Sequence, residues 1–172
     1  VSYQFPYNPD PYAPGNNYDT YDEMLDDEQV KVALEAKKNF VIGSGWRIIC
    51  EDEAIAQEVE RGLKELGKDD SEYLGFSFED NLRDILSAYA YGFSVTEPLY
   101  ELGEDGYRYK TFLTRPPHTF RFEIDDKGKV EQLIQATQSG DKKLDPNKFL
   151  HYVYQPEFGN PYGRSDLRAA HN

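Results

Sequence analysis

The sequence predicts an α+β domain in which helices come first along the chain and antiparallel β-hairpins follow. Apolar residues recur at helical spacing between Phe78 and Tyr89, and after Gly92 the period falls to two residues. Two short turns, at 103–106 and 125–128, then separate runs with strand character. Because helices precede strands instead of alternating with them, we expect the helices to pack on one side of the hairpins.

The chain has 172 residues, of which 38% are hydrophobic and 15% aromatic. This length is sufficient for one domain with a core of its own. We expect an extended Pro/Tyr-rich arm over residues 1–21, an α+β domain over 22–164, and the start of a further helix over 165–172. Because that helix begins so close to Asn172, we also expect the sequence to be a piece of a longer chain.

The formal net charge is −13, and the acidic residues are concentrated in the first half. Residues 22–80 contain 17 acidic and 7 basic side chains, whereas residues 81–172 contain 13 and 12. Binding to a phosphate backbone requires clustered Lys and Arg, so this balance argues against sequence-specific binding of DNA or RNA. The excess charge favours solubility through self-repulsion.

The N-terminal arm combines four prolines with several aromatic residues. Prolines at this density favour extended backbone over helix. Two interpretations stay open: a loose tail, or an arm whose rings dock on a neighbouring subunit, where tyrosine is favoured. The candidate interface residues are Tyr3, Phe5, Tyr7, Tyr12 and Tyr18. In the second case we expect removal of residues 1–21 to weaken oligomers and to leave the monomer folded.

Three helices are predicted before the strands. The first begins near Asp26 or Asp27 and ends at Gly43 to Gly45, and a short strand at 46–50 follows, with Trp46 and a buried, inert Cys50. The second runs from about Asp52 to Leu66. The third ends at Gly92, which we expect to take a left-handed backbone conformation as a helix cap.

The strands are predicted at 93–102, 107–114, 118–124, 129–137 and 149–155. In the first of them we expect Phe93, Val95 and Glu97 to face one side and Ser94 and Thr96 the other. Arg115, Pro116 and Pro117 interrupt the sheet, and residues 138–147 are predicted to be polar turns. Residues 156–163 form a loop, after which Ser165 has the position of a helix N-cap.

The sequence offers no catalytic, cofactor-binding or metal-binding motif. The acidic turn at 123–128 lacks the ligand pattern of a calcium loop, and the three histidines are far apart. Glu97 and Glu123 could serve a glycosidase, but nothing distinguishes them from other strand carboxylates. A hydrolase or a carbohydrate-binding module with sugar-stacking tyrosines therefore stays open as the alternative. There is no apolar run long enough for a membrane span and no export signal.

Four stretches, in this order, resemble the portal proteins of tailed bacteriophages, in particular the Mu-like branch. The first stretch is Asp26–Lys38 followed by Trp46-Arg47-Ile48, and the second is Ala88–Glu97, with Gly92 and Glu97. The third is Arg115–Phe122, which contains Pro116 and Pro117. The fourth is Lys148–His151 with Gly159–Arg168, which contains Pro161, Tyr162 and Gly163. Together they span roughly residues 26–170.

This resemblance implies the wing-like N-terminal part of a portal subunit. Such subunits form a ring, commonly dodecameric, at one capsid vertex of the virion after assembly in the host cytoplasm. The ring conducts double-stranded DNA during packaging and ejection, without sequence-specific binding. Implied partners are the major capsid protein, the terminase and the head-completion or neck proteins, with no membrane and no cofactor. The parts that line the channel are expected beyond Asn172.

Overall fold

A computed structural model describes residues 8, 10–68, 76–103 and 106–171, and all structural statements below refer to them. The helices in these ranges are α1 (Asp19–Leu25), α2 (Glu28–Gly43), α3 (Glu53–Glu65), α4 (Phe78–Ile85), α5 (Ala88–Tyr91) and α6 (Leu167–Ala170). The strands are β1 (Phe93–Gly103), β2 (Gly106–Arg115), β3 (Phe120–Ile124), β4 (Val130–Thr137), β5 (Gly140–Leu144) and β6 (Leu150–Val153). The predicted α+β class is confirmed.

The strands form two antiparallel three-stranded sheets, with the orders β2-β1-β6 and β3-β4-β5. In the first sheet, β1 is central, and it pairs Gly103 with Gly106 at the hairpin end and Phe93 with Val153 at the other end. A register shift lies between Leu99 and Tyr100. The two hairpins predicted from the turn residues are therefore both present.

Side-chain caps define where the first helices begin. The Asp27 carboxylate accepts hydrogen bonds from the backbone amides at Gln29 and Val30, and Asp52 does the same at the start of α3. Ser77 and Asp80 form a reciprocal capping box at α4. These bonds satisfy amides that have no partner within the helix. The predicted helix starts near Asp27 and Asp52 are confirmed.

The sequence predicted one continuous third helix, but the structure divides it into α4 and α5. The Ser94 hydroxyl on β1 donates to the Ile85 carbonyl at 2.8 Å, which is the carbonyl that Tyr89 would bond in an unbroken helix. The Tyr89 amide instead donates to Leu86 at 3.1 Å. The strand that follows the helix thus interrupts it. Gly92, with φ of 88°, is left-handed at the end of α5, as predicted.

Two further strand predictions were wrong. Residues 46–50 form no regular element and pair with no described strand; Trp46 and Ile48 are more than half covered, whereas Arg47 and Ile49 are exposed. Trp46 packs on Phe78 with ring centroids 5.0 Å apart. Cys50 is exposed, not buried. Conversely, β5 lies inside the stretch predicted as turns: residues 140–144 pair along β4, although residues 140–143 are exposed.

The main core lies between the two sheets and α1, α2 and α5, and a smaller cluster lies under α3. β1 is buried on both of its faces from Phe93 to Thr96. Ser94 and Thr96, expected on the face opposite to Phe93 and Val95, are 1% and 0% exposed. Their hydroxyls are bonded, Ser94 to Ile85 and Thr96 to Thr114, so the polar groups carry no burial penalty.

The extended arm predicted for residues 1–21 is structured well before its predicted end. Pro14–Asn16 form a 3-10 turn, and α1 begins at Asp19. Tyr18 and Tyr21 are 1% and 0% exposed in the main core. Tyr18 is thus packed inside its own chain, which corrects its assignment to a subunit interface. Tyr3, Phe5 and Tyr7 lie outside the described residues.

Candidate functional site

Two glycines from distant parts of the chain meet backbone to backbone. A Cβ atom placed on Gly92 would lie 2.3 Å from the Tyr162 carbonyl oxygen, and one on Gly163 would lie 2.1 Å from the Gly92 carbonyl oxygen. Both glycines have positive φ, 88° and 61°. Only a residue without a side chain fits in both respects. We call Gly92 together with residues 160–165 the junction.

Hydrogen bonds fix this close approach on both sides. The Tyr154 amide donates to the Gly92 carbonyl at 2.8 Å, and the Arg164 amide donates to the Tyr154 carbonyl at 2.9 Å. The Asp166 amide donates to the Tyr89 carbonyl at 2.9 Å. The buried Ser165 hydroxyl donates to the Ala90 carbonyl and accepts from the Leu167 amide. The last carbonyls of α5 are therefore satisfied by the segment that leads into α6.

Tyr162 anchors the junction in the core. It is 8% exposed, and its ring packs edge-on against Phe93 of β1 and Phe122 of β3, with centroids 5.7 and 4.9 Å away. Asn160 braces the turn beneath it, since its side chain accepts from the Tyr162 amide at 2.9 Å and donates to the Gly163 carbonyl at 3.0 Å. Sequence reasoning grouped Pro161, Tyr162 and Gly163 but missed the role of Asn160, which is 2% exposed.

Lys37 of α2 closes the junction from the helical side. Its ammonium donates to the Tyr154 hydroxyl and to Asp166 at 2.6 Å, and it lies 4.4 Å from the centroid of the Tyr89 ring. Burial alone would lower the pKa of Lys37, but the bonds to Asp166 and Tyr154 raise it. The sequence did not indicate these partners of Lys37.

His151 of β6 holds the loop through Pro161, whose carbonyl lies 2.9 Å from its Nε2 atom. Because a carbonyl oxygen accepts only, Nε2 carries the proton. The ring stacks on Phe122 at 4.4 Å, and burial lowers the pKa of His151 despite that hydrogen bond. The folded state thus favours the neutral imidazole.

We therefore expect acid to destabilise the domain through His151. As pH falls below about 6.5, the unfolded chain binds a proton that the folded His151 resists, so stability is lost at up to about 1.4 kcal/mol per pH unit. Urea denaturation between about pH 7 and 5.5 measures this slope, and His151→Gln should flatten it. His171→Gln is the matched control and should keep it. An unchanged slope in His151→Gln would assign the acid sensitivity to other groups.

The remaining sequence-predicted residues lie away from the junction. Glu97 and Arg115 form an ion pair at 3.1 Å across β1 and β2, with both side chains partly exposed. Pro116 and the buried Pro117 lead into a 3-10 turn before β3. Trp46 donates from its indole to Glu79 at 2.9 Å. Tyr12 packs on the core, 4.3 Å from the ring of His171.

The described residues contain neither a cluster of metal ligands nor a helix suited to a membrane. No group of three or more His, Cys, Asp or Glu side chains within them could hold a metal ion. None of the helices in the described ranges combines the length and apolar character that crossing a bilayer requires. The junction fixes the backbone of residues 160–165 against that of Gly92.

The fold and junction define an α+β domain in which the chain approaching α6 is locked onto the α5–β1 turn. A family described as the portal protein of Mu bacteriophage matches residues 18–171, which contain α1 to α6 and β1 to β6 and begin at the buried Tyr18. The chain therefore belongs to the Mu-like family of bacteriophage portal proteins. A comparison with curated proteins found no match.

Proposed function

We propose that this chain is the wing-like part of a portal subunit and that the subunits form a closed ring at one capsid vertex. The ring, commonly dodecameric in this family, would conduct double-stranded DNA during packaging and ejection. It would offer docking surfaces to the terminase, the major capsid protein and head-completion or neck proteins, after assembly in the host cytoplasm. The role is structural, not enzymatic. The match of the portal family over residues 18–171 carries this proposal.

The charge of the chain supports a conduit that does not retain DNA. The net charge is −13, and the helical half of the chain is the acidic half. Lys and Arg that neutralise phosphates would make DNA adhere in a salt-dependent manner. An acidic subunit avoids this retention, which suits a channel through which DNA must move in both directions.

The outer face of α2 supports self-association. Its inner face packs on the core through Leu34, Val30 and Ile42. Its outer face is also apolar: Val32 and Phe40 are 61% and 79% exposed, and Ala33 and Ala36 lie exposed between them. A helix that is apolar on both sides is typical of one covered on both sides. We infer that a neighbouring subunit covers this outer stripe, defined as Val32, Ala33, Ala36 and Phe40.

Electron microscopy of the purified full-length gene product tests the ring directly. We expect closed rings with a central channel and a rotational symmetry shared by all particles. A uniform population of monomers, under conditions in which the protein is folded, would contradict the proposal.

Phe40→Asp tests the outer stripe. We expect it to abolish or strongly reduce rings in sedimentation velocity, because it places a charge where the neighbouring subunit would cover apolar surface. The monomer should keep its melting temperature, since surface substitutions change stability by only about 0.5 kcal/mol. Ile55→Asp on α3, where Ile55 is 55% exposed, is the control and should still form rings. Rings at the normal yield in Phe40→Asp would place the contact elsewhere.

A further inference from the structure

A groove runs between α3 and the end of the β1–β2 hairpin, far from the junction. Its volume is about 680 Å³, within the range of sites that hold ligands. One wall is α3, with Gly62 between charged side chains, and the other is the hairpin end with Leu102, Tyr107 and Arg108. The groove shares no residue with the junction or with the outer stripe of α2.

The hairpin wall of this groove carries two apolar side chains, beside Arg108, that are open to solvent. Leu102 and Tyr107 pair across the hairpin and are 76% and 82% exposed. Tyr109 follows Tyr107 on the same face of the strand and is packed under α3, where its ring lies 3.6 Å from the Cβ position of Gly62. α3 thus covers the inner part of this face and leaves its outer part uncovered.

The first nine residues of the chain have the matching chemistry. In a chain that is 30% charged, Val1–Pro9 contain no charged side chain but three aromatic ones, Tyr3, Phe5 and Tyr7. Pro6 and Pro9 have the Pro-x-x-Pro spacing of extended segments that dock in grooves with aromatic walls. Arg61 and Arg108 flank the groove, and guanidinium groups stack on aromatic rings while keeping their ion pairs.

We propose that Tyr3, Phe5 and Tyr7 of one copy of the chain occupy this groove in a second copy. The proposal rests on the self-association proposed above and names a second contact, separate from the outer stripe of α2. Docking would cover Leu102 and Tyr107 with a segment that has no charged side chain, so two acidic subunits could approach without adding charge repulsion at the contact.

The length of the segment favours the second copy over the same one. Asp10 is bound to Tyr21 in the main core, at 2.5 Å, and the core also contains Phe93 at the start of β1. From Phe93 to Gly103 the strand extends by about 33 Å. Tyr7 lies three residues from Asp10, a reach of about 10 Å. The three aromatic side chains therefore cannot all lie in the groove of their own chain.

Disulfide trapping between two differently tagged chains tests this contact. Both chains carry Cys50→Ser, because Cys50 is exposed; one also carries Phe5→Cys and the other Leu102→Cys. In the control, the second chain carries Phe158→Cys in place of Leu102→Cys. We expect the yield of the mixed Phe5→Cys/Leu102→Cys cross-link to exceed that of the control by on the order of tenfold, because docking concentrates the thiols to about the millimolar range. Phe158 is the matched control, since it is 90% exposed on a different loop.

Adding Tyr107→Asp to the Leu102→Cys chain should remove the excess, because it alters the groove without touching either cysteine. A mixed cross-link no stronger than the Phe158→Cys control would overturn the proposal. So would a stronger cross-link within one chain that carries both Phe5→Cys and Leu102→Cys.

Micrographs of the same samples separate the groove contact from the ring. Rings without the selective cross-link refute the groove contact alone, and the selective cross-link in particles that are not rings refutes the ring alone.

Discussion

Gly92→Ala is expected to lower the free energy of unfolding by about 2–5 kcal/mol, one of the two largest effects in this domain. A left-handed backbone costs a residue with a Cβ about 1–2 kcal/mol. The added carbon would also lie 2.3 Å from the Tyr162 carbonyl oxygen, and relieving such an overlap costs about 1–3 kcal/mol more. A cap alone would account for only the backbone cost of about 1–2 kcal/mol, so a larger loss in urea denaturation indicates the overlap at the junction.

Gly128→Ala is the matched control for Gly92→Ala. Gly128 has a φ of 84°, close to that of Gly92, but a Cβ there would meet nothing within 4 Å. The control therefore carries the backbone cost without the overlap, and we expect it to lose about 1–2 kcal/mol. Equal losses in the two variants would mean that the junction yields to the extra atom and contributes little to stability.

The parts of the fold that depend on near neighbours in sequence were predictable. Asp27 and Asp52 cap helices because a carboxylate before an apolar helical pattern can reach the first free amides. The turn at 103–106 closes a hairpin because a short, glycine-containing connection favours antiparallel pairing of the two strands it joins. Gly92 could likewise be recognised as a helix end.

The candidate site depends on distant partners, which local patterns do not encode. Gly92 was assigned a cap, but its contact with Gly163 arises from a segment 71 residues later. Lys37 has the sequence context of an ordinary helix residue, because its partner Asp166 is its neighbour only in the folded chain. β5 was missed because Asp141, Lys142 and Lys143 are exposed and polar, so hydrophobic periodicity cannot indicate their pairing with β4.

Tyr18→Ala is expected to destabilise the domain by about 3–5 kcal/mol, the usual cost of truncating a large buried aromatic side chain. Tyr18 lies at the centre of four ring contacts: it meets Tyr91 and His118 edge-on at 5.6 and 5.3 Å, and Tyr21 and Phe93 at 6.2 Å. Burial raises the pKa of its phenol far above the ordinary value. Thermal and urea denaturation of the purified variant measure the loss.

Tyr107→Ala is the control, because Tyr107 is 82% exposed and its loss should change stability by no more than about 0.5 kcal/mol. Deleting residues 1–9 should likewise leave the monomer folded, whereas deleting residues 1–21 removes both Tyr18 and Tyr21 and should unfold it. This reverses the expectation from sequence, in which the whole arm was dispensable for folding. A folded, cooperatively melting domain without residues 1–21 would show that the two tyrosines are not needed for the core and that the arm extends as far as the sequence predicted.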